Sequence, residues 1–147
     1  MGQHLLFEIN SNHFTFVVKD VNSIITKKSS EIRHVPDMPS FIKGLTQLRE
    51  KTIAIIDLSN LFFSKKNESQ EYTIIIINYK NDLFGIIVDK VHNIKNIEDT
   101  EIQDSFFVKD FNKYIRGVYN EGETMWLIVD IEILMSIRKM EEISHDN

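Results

Sequence analysis

Short runs rich in aliphatic, β-branched and aromatic residues follow one another along most of the chain. His4 to Asn10, Phe14 to Val18, Ser23 to Thr26, Thr52 to Leu58, Tyr72 to Tyr79, Leu83 to Asp89, Val91 to Ile97, Tyr114 to Tyr119 and Thr124 to Ile131 each read as a strand of about 5–8 residues. Polar breaks separate them. Asn10-Ser11-Asn12 reads as a turn, and Asn81-Asp82 as a hairpin turn lacking the customary Gly. Helical spacing is scarce: Ser59 to Phe63 is long enough for one turn. Ile131 to Ile143 reads as a longer helix, with Ile133, Leu134, Ile137 and Met140 on one face. Ser64 to Glu71 is a polar loop near the middle of the chain.

The pattern also repeats. Phe41-Ile42-Lys43-Gly44-Leu45 resembles Tyr114-Ile115-Arg116-Gly117-Val118. In each copy an Asp closes an apolar strand 13 residues after the Gly, at Asp57 and Asp130. Upstream, Phe14 to Ile24 aligns without gaps to Phe84 to Ile94, pairing Val21 with Val91 and Ile24 with Ile94. Two matches in the same order, each with fixed spacing, indicate a duplicated unit. The expected architecture is all-β: two tandem small barrels with a C-terminal helix. It forms a single domain over 1–147 with approximate internal units 13–64 and 72–134, divided by the loop at 64–71. A small sheet has exposed edges unless it closes into a barrel. Two such barrels packed together would leave a groove, and the duplicated Val21/Val91 and Ile24/Ile94 are natural docking positions.

Composition narrows the chemistry. The 147 residues contain no cysteine, which removes disulfides, thiolate zinc sites and cysteine nucleophiles. The N-terminus has no basic region followed by an apolar run, and apolar runs such as Ile74 to Ile77 are far too short to span a bilayer. A cytoplasmic protein without membrane insertion is expected. The net charge of −5 and scattered Lys and Arg argue against nucleic-acid binding. Asp57, Asp89 and Asp130 each follow an apolar strand. An enzyme of carboxylate chemistry would need them to converge, whereas strand closure and capping need nothing further. The five His show no His-x-His or His-x-x-x-His spacing, so no metal ligation is expected; His4 and His13 are candidate neighbours across the first hairpin. No nucleophile elbow or phosphate-cradling loop is present. The reading is a non-catalytic protein without cofactor. Arg49, in the turn-like Gln47 to Lys51, is either a solvated side chain or an interface anchor. Trp126 reads as core with its N–H partnered, and Phe106-Phe107 as tucked against a barrel.

Pro39-Ser40-Phe41-Ile42-Lys43-Gly44-Leu45-Thr46-Gln47-Leu48-Arg49, followed by Ile53-Ala54-Ile55-Ile56-Asp57-Leu58, resembles the signature of the CheW family. That pattern runs Pro-x-Phe-Ile-x-Gly-Val-x-Asn-Leu-Arg-Gly and then an apolar strand ending in Asp-Leu. Phe14 to Ile24, Gly85-Ile86-Ile87-Val88-Asp89-Lys90-Val91, Tyr114 to Val118 and Leu127 to Asp130 extend the resemblance over nearly the whole chain. It implies two SH3-like barrels and a role as a chemotaxis adaptor. Such an adaptor bridges methyl-accepting chemotaxis receptors and the regulatory domain of the histidine kinase CheA at membrane-associated arrays. It implies that Val21, Ile24, Arg49, Val91 and Ile94 line or flank a receptor-binding groove. Ser23 stands where the family's kinase-facing surface commonly has Glu. Gln47 and Glu50 replace the family's Asn and Gly, and a Glu at a positive-φ position would be strained. A divergent module of the same fold, serving a pathway outside chemotaxis, is the alternative. A monomer is expected for the isolated protein.

Overall fold

The computed structural model describes residues 2–104 and 112–136. Two hairpins show how local sequence sets the architecture. β1 (Gln3–Ile9) and β2 (Asn12–Val17) pair antiparallel, with Phe7 opposite Phe14 and Glu8 opposite His13. β6 (Glu71–Tyr79) and β7 (Asp82–Val88) repeat that register 70 residues later, with Ile77 opposite Phe84 and Asn78 opposite Leu83. Both turns hold two non-glycine residues at positive φ, Asn10 and Ser11 in the first, Lys80 and Asn81 in the second. Such two-residue turns match the right-handed twist of the flanking strands. The second turn thus lies one residue earlier than the Asn81-Asp82 expected, because Asp82 already pairs with Tyr79.

The remaining strands are β3 (Val21–Lys28), β4 (Ile42–Leu48), β5 (Lys51–Asp57), β8 (Lys90–Asn96), β9 (Ile102–Gln103), β10 (Ile115–Glu121) and β11 (Thr124–Val129). A short helix, α1 (Leu58–Phe63), follows β5. β4 was not expected as a strand; Lys43, Gly44, Thr46 and Gln47 break the apolar run, yet Thr46 is buried, its Oγ1 donating to the Glu31 carbonyl at 2.8 Å. The chain divides into two compact units. Unit 2 comprises Asp20–Lys90, and unit 1 comprises Met1–Lys19 with Val91–Asn147.

Unit 2 holds a five-stranded sheet ordered β3-β6-β7-β5-β4. After β3 the chain turns through a 3₁₀ turn, Ser29–Glu31, and Arg33 bridges to Leu45 of β4, the opposite edge. The sheet therefore closes on itself, which removes the exposed edges an open sheet would have. Its core joins Ile53, Ile55, Tyr72, Ile74, Ile76 and Ile87. Unit 1 holds a six-stranded sheet ordered β8-β1-β2-β11-β10-β9. There a 3₁₀ turn at Asp99–Glu101 carries the chain from β8 to β9, which pairs with β10. Leu6, Ile97, Tyr119, Trp126 and Ile128 form its core.

The compact units are not the duplicated segments themselves. β5 pairs in parallel with β7, Ile55 opposite Gly85, while β11 pairs in parallel with β2, Ile128 opposite Thr15. Each half of the duplication thus lends strands to the other's sheet. The equivalences hold in detail. Asp57 and Asp130 accept hydrogen bonds from Asn60 and Ile133 backbone N–H groups at 3.4 and 3.2 Å, and their own N–H groups donate to the carbonyls of Phe41 and Tyr114. Residues 131–136 are helical. Ile131, Leu134 and Met135 form the buried face, whereas Ile133, expected there, is exposed. Ile137, Met140 and Phe106-Phe107 lie outside the described residues.

Candidate partner-binding surface

In unit 2, β3 alternates between half-buried and exposed positions along its whole length. That alternation gives the strand a face turned to solvent or partners. Val21 is half-buried, Ser23 is half-buried with its hydroxyl donating to Asn22 Oδ1 at 3.0 Å, and Ile24 is 46% exposed. The register shifts between Val21 and Ser23, opposite Ile77 and Ile76. Such a bulge re-aims the side chains beside it. Arg49 stands in the two-residue turn between β4 and β5, where Leu48 pairs with Lys51. Lys27 Nζ donates to the Gln47 carbonyl at 2.9 Å and ties that turn to β3. The left-handed residue of the turn is Arg49, at φ 57°; Glu50 is not at positive φ. The strain expected at Glu50 therefore falls on Arg49, whose exposed guanidinium is held out on a backbone that costs an L-residue about 1–2 kcal/mol.

In unit 1, β8 carries the equivalents. Val91 is half-buried and Ile94 is 53% exposed. Exposed large apolar side chains are few among the described residues: Ile24 and Ile94 stand with Met125 and Ile133. Two of the four thus occupy the same position of the duplication, on the terminal strand of each sheet. Sequence alone did not single out Met125, which stands exposed at the start of β11 before four consecutive buried residues.

The carboxylates are structural. Asp57 is buried and also accepts the Asn67 backbone N–H at 2.8 Å, while Asn67 Nδ2 donates to Asp89 Oδ1 at 3.2 Å. Asp57 and Asp89 therefore share one loop residue in unit 2, and Asp130 caps the helix of unit 1. His4 is not across from His13: it pairs with Val17 in register, and its Nδ1 lies 2.9 Å from Thr15 Oγ1 in the interior. Burial, reinforced by the positive charge of Arg116, lowers its pKa to about 4. Trp126 is core as expected, but its Nε1 has no hydrogen-bond partner among the described residues.

Two self-closing sheets, with Ile24 and Ile94 exposed at equivalent positions of the duplication, define a duplicated small-β-sheet protein. No helix among the described residues is long and apolar enough to cross a membrane. A family model described as the CheW-like domain matches residues 3–139. The chain belongs to the CheW-like domain family. It is 30% identical over 144 residues to the chemotaxis protein CheW of Klebsiella aerogenes, covering 95% of this chain and 86% of that one. It is 23% identical to the chemotaxis protein CheW of Treponema pallidum, covering 97% and 87%. The crystal structure of the scaffolding protein CheW from Thermoanaerobacter tengcongensis superposes with a TM-score of 0.78 at 26% identity, covering 88% of each chain.

Proposed function

We propose that this protein is a cytoplasmic, non-catalytic adaptor that couples the cytoplasmic tips of chemoreceptors to the regulatory domain of CheA at receptor arrays. The observation that carries this reading is the CheW-like match over residues 3–139 together with Ile24 and Ile94 exposed at equivalent positions. On this reading Val21, Ile24 and Arg49 of unit 2, and Val91 and Ile94 of unit 1, are the residues that contact the receptor. Branched apolar side chains supply burial on docking, and Arg49 supplies a fork of hydrogen-bond donors. Ser23 belongs to the kinase-facing surface. A second reading, a module of this fold in a pathway outside chemotaxis, is favoured by Ser23 alone: its short hydroxyl is occupied by Asn22 and offers no charge.

Calorimetric titration of the protein with a receptor-tip fragment, and separately with the CheA regulatory domain of the same organism, tests both readings. The adaptor binds both, and Arg49→Ala weakens the receptor arm about tenfold or more. Receptor binding without kinase binding establishes the second reading. Binding to neither partner overturns the adaptor reading and directs the search to other partners of this fold.

A further inference from the structure

The seam that closes the sheet of unit 2 changes character along β4. Leu45 exchanges two backbone hydrogen bonds with Arg33, at 2.7 and 2.8 Å. One residue on, Thr46 reaches the Glu31 carbonyl through its side chain. One residue further, the link is a long side chain from β3, Lys27 Nζ on the Gln47 carbonyl. The hairpin geometry explains why that carbonyl is open to it. Leu48 and Lys51 close a two-residue turn, so they exchange hydrogen bonds, and the backbone groups of Gln47 point away from β5. Leu45, two residues back, points the same way, as its bridge to Arg33 requires. On its other side, β5 pairs with β7 from Ala54 onward. The tip of the hairpin, residues 47–52, therefore projects past both backbone ladders that flank it. Leu48 packs on the core at its base, and Thr52 Oγ1 holds the Gln47 side chain within the hairpin at 3.0 Å. Among the described residues, the hydrogen bond that ties this tip to the rest of unit 2 comes from Lys27. Its side chain is 20% exposed, with Glu31 Oε2 4.0 Å from the ammonium. A lysine held this way gives up much of its usual rotamer freedom.

We propose that Lys27 is the positioning residue for Arg49, and that its tie to the Gln47 carbonyl presents the guanidinium to the receptor; the presentation rests on the adaptor reading above. Arg49 stands two residues after Gln47, exposed and at φ 57°. A left-handed residue at the tip of a projecting hairpin has lower-energy backbone states open to it once the turn loosens. Fixing the Gln47 carbonyl removes those states before a partner arrives, so ordering the turn is not subtracted from binding. The tie also runs to β3, the strand that carries Val21 and Ile24. Lys27 thus sets where the guanidinium stands relative to those two apolar side chains of the same unit.

The test is a double-mutant cycle in the full-length protein, read by calorimetric titration with the receptor-tip fragment. Lys27→Met keeps the stem, removes the donor and should weaken binding about fivefold. Lys27→Arg keeps a donor and should restore affinity to within about twofold. In the Arg49→Ala background, Lys27→Met should change affinity by less than about twofold, because no guanidinium is left to position. Lys28→Met removes the same charge from the next residue of β3 and should leave binding unchanged. No loss from Lys27→Met, an equal loss in both backgrounds, or an equal loss from Lys28→Met overturns the proposal. Amide exchange of the protein alone is the second arm. Leu48 and Lys51, the pair that closes the turn, should exchange about threefold faster or more in Lys27→Met than in the wild type; unchanged exchange overturns the tie. A wild type that binds no receptor tip overturns the adaptor reading and the presentation with it, whereas the exchange arm still decides whether Lys27 holds the turn.

Discussion

His4 and Arg49 show single residues held in states they would not choose alone. His4 is sealed in the interior with its pKa lowered from 6.5 to about 4, so the fold favours the neutral ring. Above pH 6.5 both folded and unfolded chains hold it neutral, and the linkage term vanishes. As pH falls from 6.5 towards 4 the unfolded chain takes up the proton first, and stability is lost by at most about 3 kcal/mol. Urea unfolding at pH 7 and pH 5 checks this: the wild type should lose stability between the two, and His4→Gln should lose measurably less. An equal loss in the variant would assign the acid sensitivity to other groups. At Arg49 the left-handed backbone predicts that Arg49→Gly is more stable than Arg49→Ala by about 1 kcal/mol, read from thermal unfolding. Both variants should lose receptor binding alike, which separates the cost of the turn from the contribution of the guanidinium.

At the scale of elements, the two glycines of the duplication do the same job under different constraints. A Cβ on Gly44 would collide with the backbone carbonyl of Arg33, which belongs to the bridge that closes the sheet of unit 2. On Gly117 it would meet the Ile102 side chain at 2.5 Å and the Gln103 carbonyl oxygen at 3.0 Å. A methyl group can yield where a paired carbonyl cannot. Gly44→Ala should therefore destabilise by about 2–3 kcal/mol and Gly117→Ala by about 1–2 kcal/mol; chemical denaturation of both variants tests the order, and the reverse order would refute it. Strand existence was legible from runs such as Ile74 to Ile77, because central strands buried on both faces are continuously apolar. β4 was not, since Thr46 is buried only through its hydrogen bond to Glu31. The exposed positions Ile24 and Ile94 were legible through the duplication.

Across the whole molecule, the duplication identified equivalent strands without identifying which copies pair. β5 could face β2 or β7 on apolar pattern alone; packing decides. Gly85 leaves room for Ile55 and Ile74, whereas its counterpart Thr15 fills that room and bonds His4 instead. The result is an asymmetry of chain separation. The β5–β7 contact joins Ala54 to Phe84, and the β2–β11 contact joins Phe14 to Leu127. Closing the longer loop costs about 1.2 kcal/mol more in chain entropy. Pulse-labelled hydrogen exchange during refolding should find amides of β5 and β7 protected before those of β2 and β11; simultaneous protection would show that the two units fold as one. On the ribosome the interleaving becomes a matter of time. The hairpin carrying Phe7, Phe14 and Phe16 is made first, yet its neighbour β11 begins at Thr124. At about 5–20 residues per second, those three phenylalanines wait several seconds or longer for their neighbour, a window in which a chaperone or another nascent chain can reach them first.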